Sequence, residues 1–189
     1  MTEDEKEIIE GCRRGDTECQ KRLYLNFGPM IKGVCTRYTS DPSEAEDLFH
    51  DVFVFILTNF DDFNKVYSLG GWLHTVTVNK AIDYVRKKGL YGVDPMSKYD
   101  IDIPDTQGRN YDGLSMSEIL GFVRMLPDKY RTAFNLFVID DIPQEEISRL
   151  MGESRTNVRT LVSRAKAMLR VKIDEYLKKD NLINKEYGR

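Results

Sequence analysis

The sequence has no run of 18 or more apolar residues, and residues 1 to 10 are polar and acidic. A transmembrane helix needs about 20 mainly apolar residues, and a secretory signal peptide begins with a basic segment followed by an apolar one. We therefore expect neither membrane insertion nor a signal peptide. The protein is expected to remain in the cytoplasm.

Cysteine is scarce, with 3 residues in a chain of 189. Cys12, Cys19 and Cys35 are odd in number, lie in helical patterns and form no C-x-x-C pair. This usage is typical of reduced thiols that serve as small apolar side chains. Because neither of the 2 histidines lies near a cysteine in sequence, we do not expect a structural zinc site.

The scarcity of histidine also limits catalysis. Asp47 and His50 stand three residues apart in an acidic segment, a spacing found in carboxylate-bridged metal sites of helical bundles. Such a site needs a second acid-x-x-His pair, but His74 has Gly71 three residues before it. Since no pair of nucleophile and base can be assembled either, we expect no metal, no other cofactor and no enzymatic activity. The acidic segment is then a solvated face or a docking surface for a basic partner.

Charge is unevenly distributed, although the formal net charge of the chain is only −3. Residues 1 to 90 and residues 91 to 115 each carry a net charge of −3, whereas residues 116 to 189 carry +3. This asymmetry predicts two modules with different partners.

Hydrophobic periodicity predicts an all-α fold with two helical domains. The first, residues 1 to 90, is almost wholly helical, and Ser43 with Glu46 has the form of a capping box. The predicted helices run from an Asp16 cap to about Tyr38, from a Ser43 cap through Leu57, and from Trp72 to about Lys88.

Residues 91 to 114 have a different character, with two prolines, several acids and almost no periodicity. We predict a flexible acidic linker there. Helical patterns resume in a second domain at residues 115 to 180. The polar tail, residues 181 to 189, is expected to fray, with fraying beginning after Glu175.

The second domain contains the pattern of a helix-turn-helix. Pro143 can open a helix, and the acids after it suit the positive end of the helix dipole. Gly152 can end that helix in a left-handed conformation, and Ser154 can cap the next one. Two apolar stripes would meet across this turn. The stripe of the second helix consists of Val158, Leu161, Val162, Ala165 and Leu169.

The opposite face of the second of these helices is basic and polar. Seven cations lie between Arg149 and Lys172, against the single acid Glu153. An ordinary helical hairpin with a solvated basic face is the alternative, but the charge density favours nucleic-acid binding. The side chains of a size to reach base edges and phosphates are Arg155, Thr156, Arg159, Thr160, Ser163 and Lys166.

Aromatic side chains cluster near the third predicted helix. The loop from Asp61 to Leu69 holds Phe63 and Tyr67, and Trp72 follows it. A tryptophan in this position is commonly a core residue. Combined with nearby polar groups and cations, however, these rings suit stacking on the bases of single-stranded nucleic acid.

These motifs together resemble the bacterial sigma-70 family, and more narrowly its short two-domain type, the extracytoplasmic-function (ECF) sigma factors. The resemblance covers about Gly15 to Leu169, with the motifs in the same order. It rests on the stretch from Asp47 to Phe53, on Trp72-Leu73-x-Thr75 with Asn79, Asp83 and Arg86, on an acidic linker, on Leu126-Pro127-x2-Tyr130-Arg131, and on the helix-turn-helix that ends at Ser163-Arg164-Ala165-Lys166.

The resemblance implies a function and its site residues. A sigma factor binds core RNA polymerase, recognises the −35 and −10 promoter elements and promotes strand opening. The expected polymerase contacts, to the clamp coiled coil of the largest subunit, are Asp47, His50 (where the family commonly has glutamine) and Asp51; the β flap is a second expected contact. The expected −10 residues are Phe63, Tyr67, Trp72, Asn79, Asp83 and Arg86. The expected −35 residues are Arg149, Ser154, Arg155, Thr156, Asn157, Arg159, Thr160, Ser163 and Arg164.

Two further expectations follow from the resemblance. Members of the family are usually held inactive by an anti-sigma protein, so we expect such a partner. The alternative function is a stand-alone helix-turn-helix regulator, which would bind duplex DNA without polymerase at paired half-sites.

Overall fold

The computed structural model describes residues 2–63, 68–88 and 114–187, and these residues form helices and turns with no strand among them. The all-α prediction is confirmed. The chain divides into two compact units, residues 1–89 and residues 90–189. All but the last residue of the predicted linker lies outside the described part of the chain.

The first unit contains four described helices and one short 3₁₀ turn, formed by residues Phe60–Asp62. The longest helix, α2, packs against the other three. The bounds are α1 Glu3–Arg13, α2 Thr17–Tyr38, α3 Pro42–Thr58 and α4 Leu69–Lys87.

The core of the first unit is apolar and lies around α2. Leu23 and Ile31 of α2, Ile56 of α3 and Leu73 of α4 are completely buried. Burying one such side chain stabilises a fold by about 1.5–3 kcal/mol relative to leaving it in water. These contacts hold α3 and α4 in fixed positions on α2, so that each helix presents one face to solvent.

Two helix starts in the first unit differ from the sequence prediction. Asp41, and not Ser43, caps α3: its carboxylate accepts a hydrogen bond from the backbone N–H of Ser43 at 2.7 Å. The capping box predicted at Ser43 is therefore wrong, because Pro42 takes the first helical position and fits it without loss of a hydrogen bond.

Helix α4 begins at Leu69, three residues before the predicted start at Trp72. The hydroxyl of Ser68 accepts a hydrogen bond from the backbone N–H of Gly71 at 3.1 Å and caps the helix. Gly70 lies where an added Cβ would be 3.5 Å from the ring of Phe27. An added Cβ at that distance would make an ordinary contact, so the cap at Ser68 is what offsets the low helix propensity of the two glycines.

The second unit is built on a long helix, α8, against which α5, α6 and α7 pack. A turn of π-helix, Asn135–Ile139, extends α6. The bounds are α5 Met116–Arg124, α6 Asp128–Phe134, α7 Gln144–Met151 and α8 Arg155–Tyr187. Its buried apolar residues include Tyr130, Leu136, Ile147 and Val158, each of which is fully covered.

A buried guanidinium group joins α5 to α6. Arg131 is only 2% exposed, and it donates hydrogen bonds to the backbone carbonyls of Arg124 at 3.1 Å and Leu126 at 2.9 Å. It also pairs with the carboxylate of Asp128. The Leu126-Pro127-x2-Tyr130-Arg131 motif therefore has a structural role, because the Arg131 side chain satisfies the carbonyls at the end of α5.

Helix α8 is the longest described helix, with 33 residues, and its backbone is helical through Tyr187. Fraying after Glu175 and a polar tail from residue 181 stay predictions. No glycine or proline occurs between Gly152 and Gly188, so no residue in this stretch breaks the helix. Composition identifies the polar segment but does not mark where the helix ends.

The three cysteines have the properties of small core residues. Cys12, Cys19 and Cys35 are free thiols and are buried. Burial raises the pKa of Cys12 to about 11 and that of Cys35 to about 12. Both groups are therefore protonated at neutral pH, as expected for structural cysteines.

Candidate nucleic-acid and protein interfaces

The acidic face predicted as a docking surface lies on α3. Asp47, His50 and Asp51 are all exposed. They stand three and four residues apart, so they share one side of the helix. Val54, one turn further on, is 47% exposed and continues this face as an apolar group. The structure therefore brings the three predicted polymerase contacts together on one surface.

An aromatic cluster between α2 and α3 was not predicted from the sequence. Tyr24 of α2 contacts Phe49 and Phe53 of α3, with ring centroids 5.8 and 5.4 Å apart. Tyr24 and its neighbour Leu25 are 49% and 61% exposed. Periodicity did not reveal the cluster, because it forms only when two helices are packed side by side. The sequence signal was the surplus of phenylalanine on α3.

The polar residues predicted to contact the −10 element lie along α4. Asn79, Asp83 and Arg86 are exposed, and Arg86 pairs with Asp83 at 3.3 Å. Trp72, at the start of the same helix, is half-buried. From Trp72 onward, these four residues follow one another at intervals of seven, four and three positions, which places them on one stripe of the helix.

The aromatic residues around Trp72 differ in exposure from the prediction. Phe60 and Phe63 are 2% and 3% exposed, and their ring centroids lie 5.4 and 5.5 Å from that of Trp72. Phe63 therefore supports Trp72 from inside the fold, and it could contact a base only after leaving the core. Tyr67 lies outside the described residues.

A groove of about 520 Å³ separates the two candidate surfaces of the first unit. His50 and Asp51 line it from α3, and Asp83 lines it from α4. The Lys80 ammonium on the same side of α4 lies 3.5 Å from the centre of the Phe55 ring, a cation–π contact. This contact ties α4 to α3 directly beside the groove.

The helix-turn-helix has the predicted geometry. Gly152 ends α7 in the left-handed conformation, with φ of 66°. Ser154 caps α8 by accepting a hydrogen bond from the backbone N–H of Asn157 at 3.1 Å. The apolar stripe of α8 is buried, as predicted, at Val158, Leu161, Val162, Ala165 and Leu169.

The opposite face of α8 is accessible. Five predicted −35 residues are exposed: Arg149, Ser154, Arg155, Thr156 and Arg159. Four others are half-buried: Asn157, Thr160, Ser163 and Arg164. The structure thus brings all nine together around the turn and the first half of α8.

Asn157 has an additional contact that was not predicted. Its side-chain nitrogen donates a hydrogen bond to one carboxylate oxygen of Glu153 at 2.5 Å. The other oxygen of Glu153 pairs with the Lys129 ammonium of α6 at 2.7 Å. The sequence signal was the position of Glu153 as the single acid among seven cations.

Neither a metal site nor a membrane span is found in the described ranges. Those residues hold no group of three or more histidine, cysteine or acidic side chains that could bind a metal ion. None of the described helices combines the length and the apolar character that crossing a membrane requires.

Comparison with known families gives two matches in chain order. The Sigma-70 region 2 family matches residues 23–90, and the Sigma-70 region 4 family matches residues 116–169. The first match runs from within α2 to just past the end of α4, and the second covers α5 to the first half of α8. Helix α1 precedes the region 2 match.

Two relatives from Bacillus subtilis (strain 168) align over most of their length. The chain is 25% identical to the ECF RNA polymerase sigma factor SigW over 181 residues, which are 87% of this chain and 94% of SigW. It is 30% identical to the ECF RNA polymerase sigma factor SigM over 144 residues, which are 70% of this chain and 81% of SigM. Both domains therefore have counterparts in single relatives.

Solved structures with a similar fold include a sigma factor bound to an anti-sigma factor. It is the sigma factor RpoE of Bartonella quintana in complex with the anti-sigma factor NepR, with a TM-score of 0.51 and 22% sequence identity. The alignment covers 82% of this chain and 96% of that one. The comparisons support the sigma-factor interpretation and give no support to the alternative of a stand-alone regulator. The chain belongs to the family of ECF RNA polymerase sigma factors.

Proposed function

We propose that this protein is an ECF-type sigma factor of the cytoplasm, that it binds core RNA polymerase and that it directs transcription initiation at promoters with −35 and −10 elements. The observation that supports this most strongly is the order of the two matched regions, one on each unit, with an acidic exposed face on the first and a basic exposed face on the second. The protein supplies binding energy and has no catalytic role of its own.

The second unit binds the −35 duplex in this proposal. Arginine and lysine side chains of α8 neutralise phosphates and release counterions, which gives affinity. Arg155 and Arg159 are exposed at the start of the helix, where side chains can reach base edges in the major groove. Arg149 on α7 contacts a phosphate and fixes the register of the helix.

The first unit acts on the −10 element after it has docked on polymerase. Its net charge of −3 repels free duplex DNA, so the positive channel of the polymerase must supply the attraction. Trp72 and the polar stripe of α4 then bind a base that has left the stack. Unstacking a base costs a few kcal/mol, and stacking with edge hydrogen bonds offsets a similar amount, about 1–3 kcal/mol per base.

The acidic face of α3 carries the contact with the polymerase clamp, and the β flap is the contact proposed for the second unit. A partner that covers the acidic face would keep the protein inactive. Since RpoE of Bartonella quintana forms a complex with the anti-sigma factor NepR, we propose an anti-sigma protein as the natural inhibitor. Pull-down from the native cell tests this, and recovery of polymerase as the sole partner would argue against it.

The docking face is tested by a double variant that keeps side-chain size but removes two negative charges, Asp47→Asn with Asp51→Asn. We expect it to lose co-purification with core polymerase, because both carboxylates lie on the proposed contact face. The matched control is Glu3→Gln with Glu18→Gln, which removes two exposed acids from α1 and α2. Undiminished co-purification of the first variant would refute this placement.

The recognition helix is tested by Arg159→Ala. Loss of this exposed side chain should lower the affinity of the reconstituted holoenzyme for a −35 duplex by about 1–3 kcal/mol. Lys178→Ala, which removes an exposed cation further along α8, is the control and should have little effect. An unchanged footprint with Arg159→Ala would place the recognition surface elsewhere.

A further inference from the structure

Glu153 is an unusual residue for a DNA-binding surface. Between Arg149 and Lys172 it is the only acid, and it lies in the turn of the helix-turn-helix, where a carboxylate would repel phosphates. A side chain that merely capped the turn could be serine or asparagine. A carboxylate at this position therefore requires a reason in the contacts that it makes.

Both oxygens of the Glu153 carboxylate are engaged. One pairs with the ammonium of Lys129 at 2.7 Å, and the side chains of Lys129 and Glu153 are only 13% and 19% exposed. The other accepts a hydrogen bond from the side-chain nitrogen of Asn157 at 2.5 Å. Burial opposes ionisation, but the hydrogen bonds from Lys129 and Asn157 and the charge of Lys129 outweigh it and lower the pKa of Glu153. The carboxylate is therefore charged at neutral pH and directed inward.

The backbone of Glu153 is also fixed. Its N–H donates to the carbonyl of Ser148 at 3.1 Å, and its own carbonyl accepts a hydrogen bond from the hydroxyl of Ser148 at 2.5 Å. The residue is thus held by α7 through its backbone and by α6 through Lys129. A group anchored on both sides can hold a third group in one orientation.

We propose that Glu153 is a positioning residue that fixes the side-chain amide of Asn157 and thereby sets a base preference in the −35 element. This proposal rests on the proposed function. An amide can turn over to exchange its nitrogen and oxygen ends, and the two orientations present opposite hydrogen-bonding patterns. Glu153 can bond only to the nitrogen end, because a carboxylate is an acceptor.

The fixed orientation identifies the class of base that Asn157 selects. Glu153 engages one of the two hydrogens on the amide nitrogen, so the second can still donate, but the carbonyl oxygen is fixed in direction and must meet a donor on the DNA. In the major groove, adenine and cytosine present an amino group, whereas guanine and thymine present acceptors at the corresponding edge. Asn157 therefore selects adenine or cytosine at one position of the −35 element.

Three substitutions at one site separate the hydrogen bond from the charge. Glu153→Gln retains an acceptor for Asn157 but removes the charge. Glu153→Asp retains the charge but withdraws it by one methylene group, out of reach of Asn157. Glu153→Ala removes both groups. Asn157→Ala identifies the base pair that is read, and Glu146→Gln removes an exposed acid from α7 as the control for charge.

The measurement uses full-length protein reconstituted with core polymerase and a set of promoter duplexes that differ by one base pair at each −35 position in turn. Asn157→Ala should lose about tenfold discrimination at one position. Glu153→Asp and Glu153→Ala should lose a similar factor at that same position. Glu153→Gln should retain the preference, and Glu146→Gln should raise affinity for all duplexes equally.

Specific results would overturn the proposal. A change in affinity that is equal for all duplexes in Glu153→Asp would show that Glu153 acts only on overall binding. Loss of the preference in Glu153→Gln would show that charge, and not the hydrogen bond, is responsible. If Glu153→Ala fails to fold, the aspartate and glutamine variants still decide the matter. A wild-type holoenzyme without any −35 preference would overturn the proposed function as well, whereas a wild-type preference that survives in Glu153→Asp and Glu153→Ala would overturn this inference alone.

Discussion

The two units of the protein present polar stripes on helices by different means. In the first unit, the stripe on α4 is supported by aromatic packing: Phe60 and Phe63 lie beneath Trp72, with ring centroids about 5.5 Å apart. In the second unit, the start of α8 is held by polar contacts, in which Glu153 joins Lys129 to Asn157. The aromatic support depends on the volume of the buried rings, and the polar support depends on the direction of hydrogen bonds.

This difference corresponds to the two proposed tasks. A base that has left the stack is bound through its flat face, so an aromatic ring held in place by its neighbours is sufficient to bind it. A base pair that remains in the duplex is read at its edge, so donors and acceptors must be fixed in direction. The comparison predicts that the second unit is sensitive to loss of single polar groups, whereas the first is sensitive to loss of volume.

The largest effect is expected for Arg131→Ala. This change leaves the carbonyls of Arg124 and Leu126 and the carboxylate of Asp128 without their buried donor. We expect a loss of about 4 kcal/mol in the free energy of unfolding of the second unit. Urea titration can assign the loss to one unit, because Trp72 is the only tryptophan of the chain and lies in the first unit.

The circular dichroism of Arg131→Ala should therefore show an early transition, while the midpoint of Trp72 fluorescence stays unchanged. Lys32→Met is the control, since it removes an exposed ion pair with Glu46 on the first unit. Such a pair contributes about 0.2–1 kcal/mol. A coincident shift of both signals in Arg131→Ala would contradict independent stabilities of the two units.

Phe63→Ala is the corresponding change in the first unit. Removing a ring that is 3% exposed should destabilise that unit by about 3 kcal/mol, because the neighbouring side chains only partly fill the cavity that the ring leaves. The midpoint of Trp72 fluorescence should fall and the −35 affinity should stay constant. Phe63→Leu should recover most of the stability, since volume is the decisive property; a loss as large as that of alanine would argue for a specific role of the ring.

A smaller gain is expected for Asp141→Gly in the second unit. Asp141 has φ of 52°, the one non-glycine residue with positive φ in the described part of the chain. Glycine should raise the free energy of unfolding by about 0.5–1 kcal/mol, because it takes this conformation without steric cost. The gain is measured as a higher urea midpoint. Asp140→Gly is the control and should destabilise, because Asp140 has φ of −93°. Equal effects of the two changes would exclude backbone strain as the cause.

The smallest effect concerns acid stability in the second unit. Hydrogen bonds from Ser115 and from the hydroxyl of Tyr176 lower the pKa of Glu118 to about 2. Since the folded pKa lies below the unfolded one, this stabilisation is present above about pH 4.5 and is lost as pH falls toward 2. Tyr176→Phe should therefore be less stable than wild type at pH 6, and the difference should shrink by pH 2.5. A difference that is independent of pH would mean that Glu118 makes no contribution through this bond.

Local sequence features predicted the second unit well. The cap at Ser154, the left-handed glycine at 152 and the apolar stripe of α8 each depend on residues within one or two turns of helix. Such features are readable because a cap or a stripe uses neighbours in the chain. The order of motifs likewise indicated the family, since it needs no knowledge of packing.

Features that depend on contacts between distant segments were missed. The burial of Phe63 beneath Trp72 and the cluster of Tyr24 with Phe49 require two elements to be packed together. The bond between Glu153 and Asn157 is local, but its significance depends on Lys129 in another helix. Sequence periodicity shows which residues share one face of a helix. It does not show which faces of different helices pack against each other.

Run-off transcription with purified core polymerase and genomic DNA fragments tests the central claim most directly, because it requires both units to act together on polymerase. With the full-length protein added, we expect new transcripts whose mapped start sites share two upstream elements at a constant spacing. Without the protein, or with Arg159→Ala, these transcripts should be absent or much reduced. If the protein leaves transcription unchanged on every template, the account of the two units as one initiation factor is contradicted.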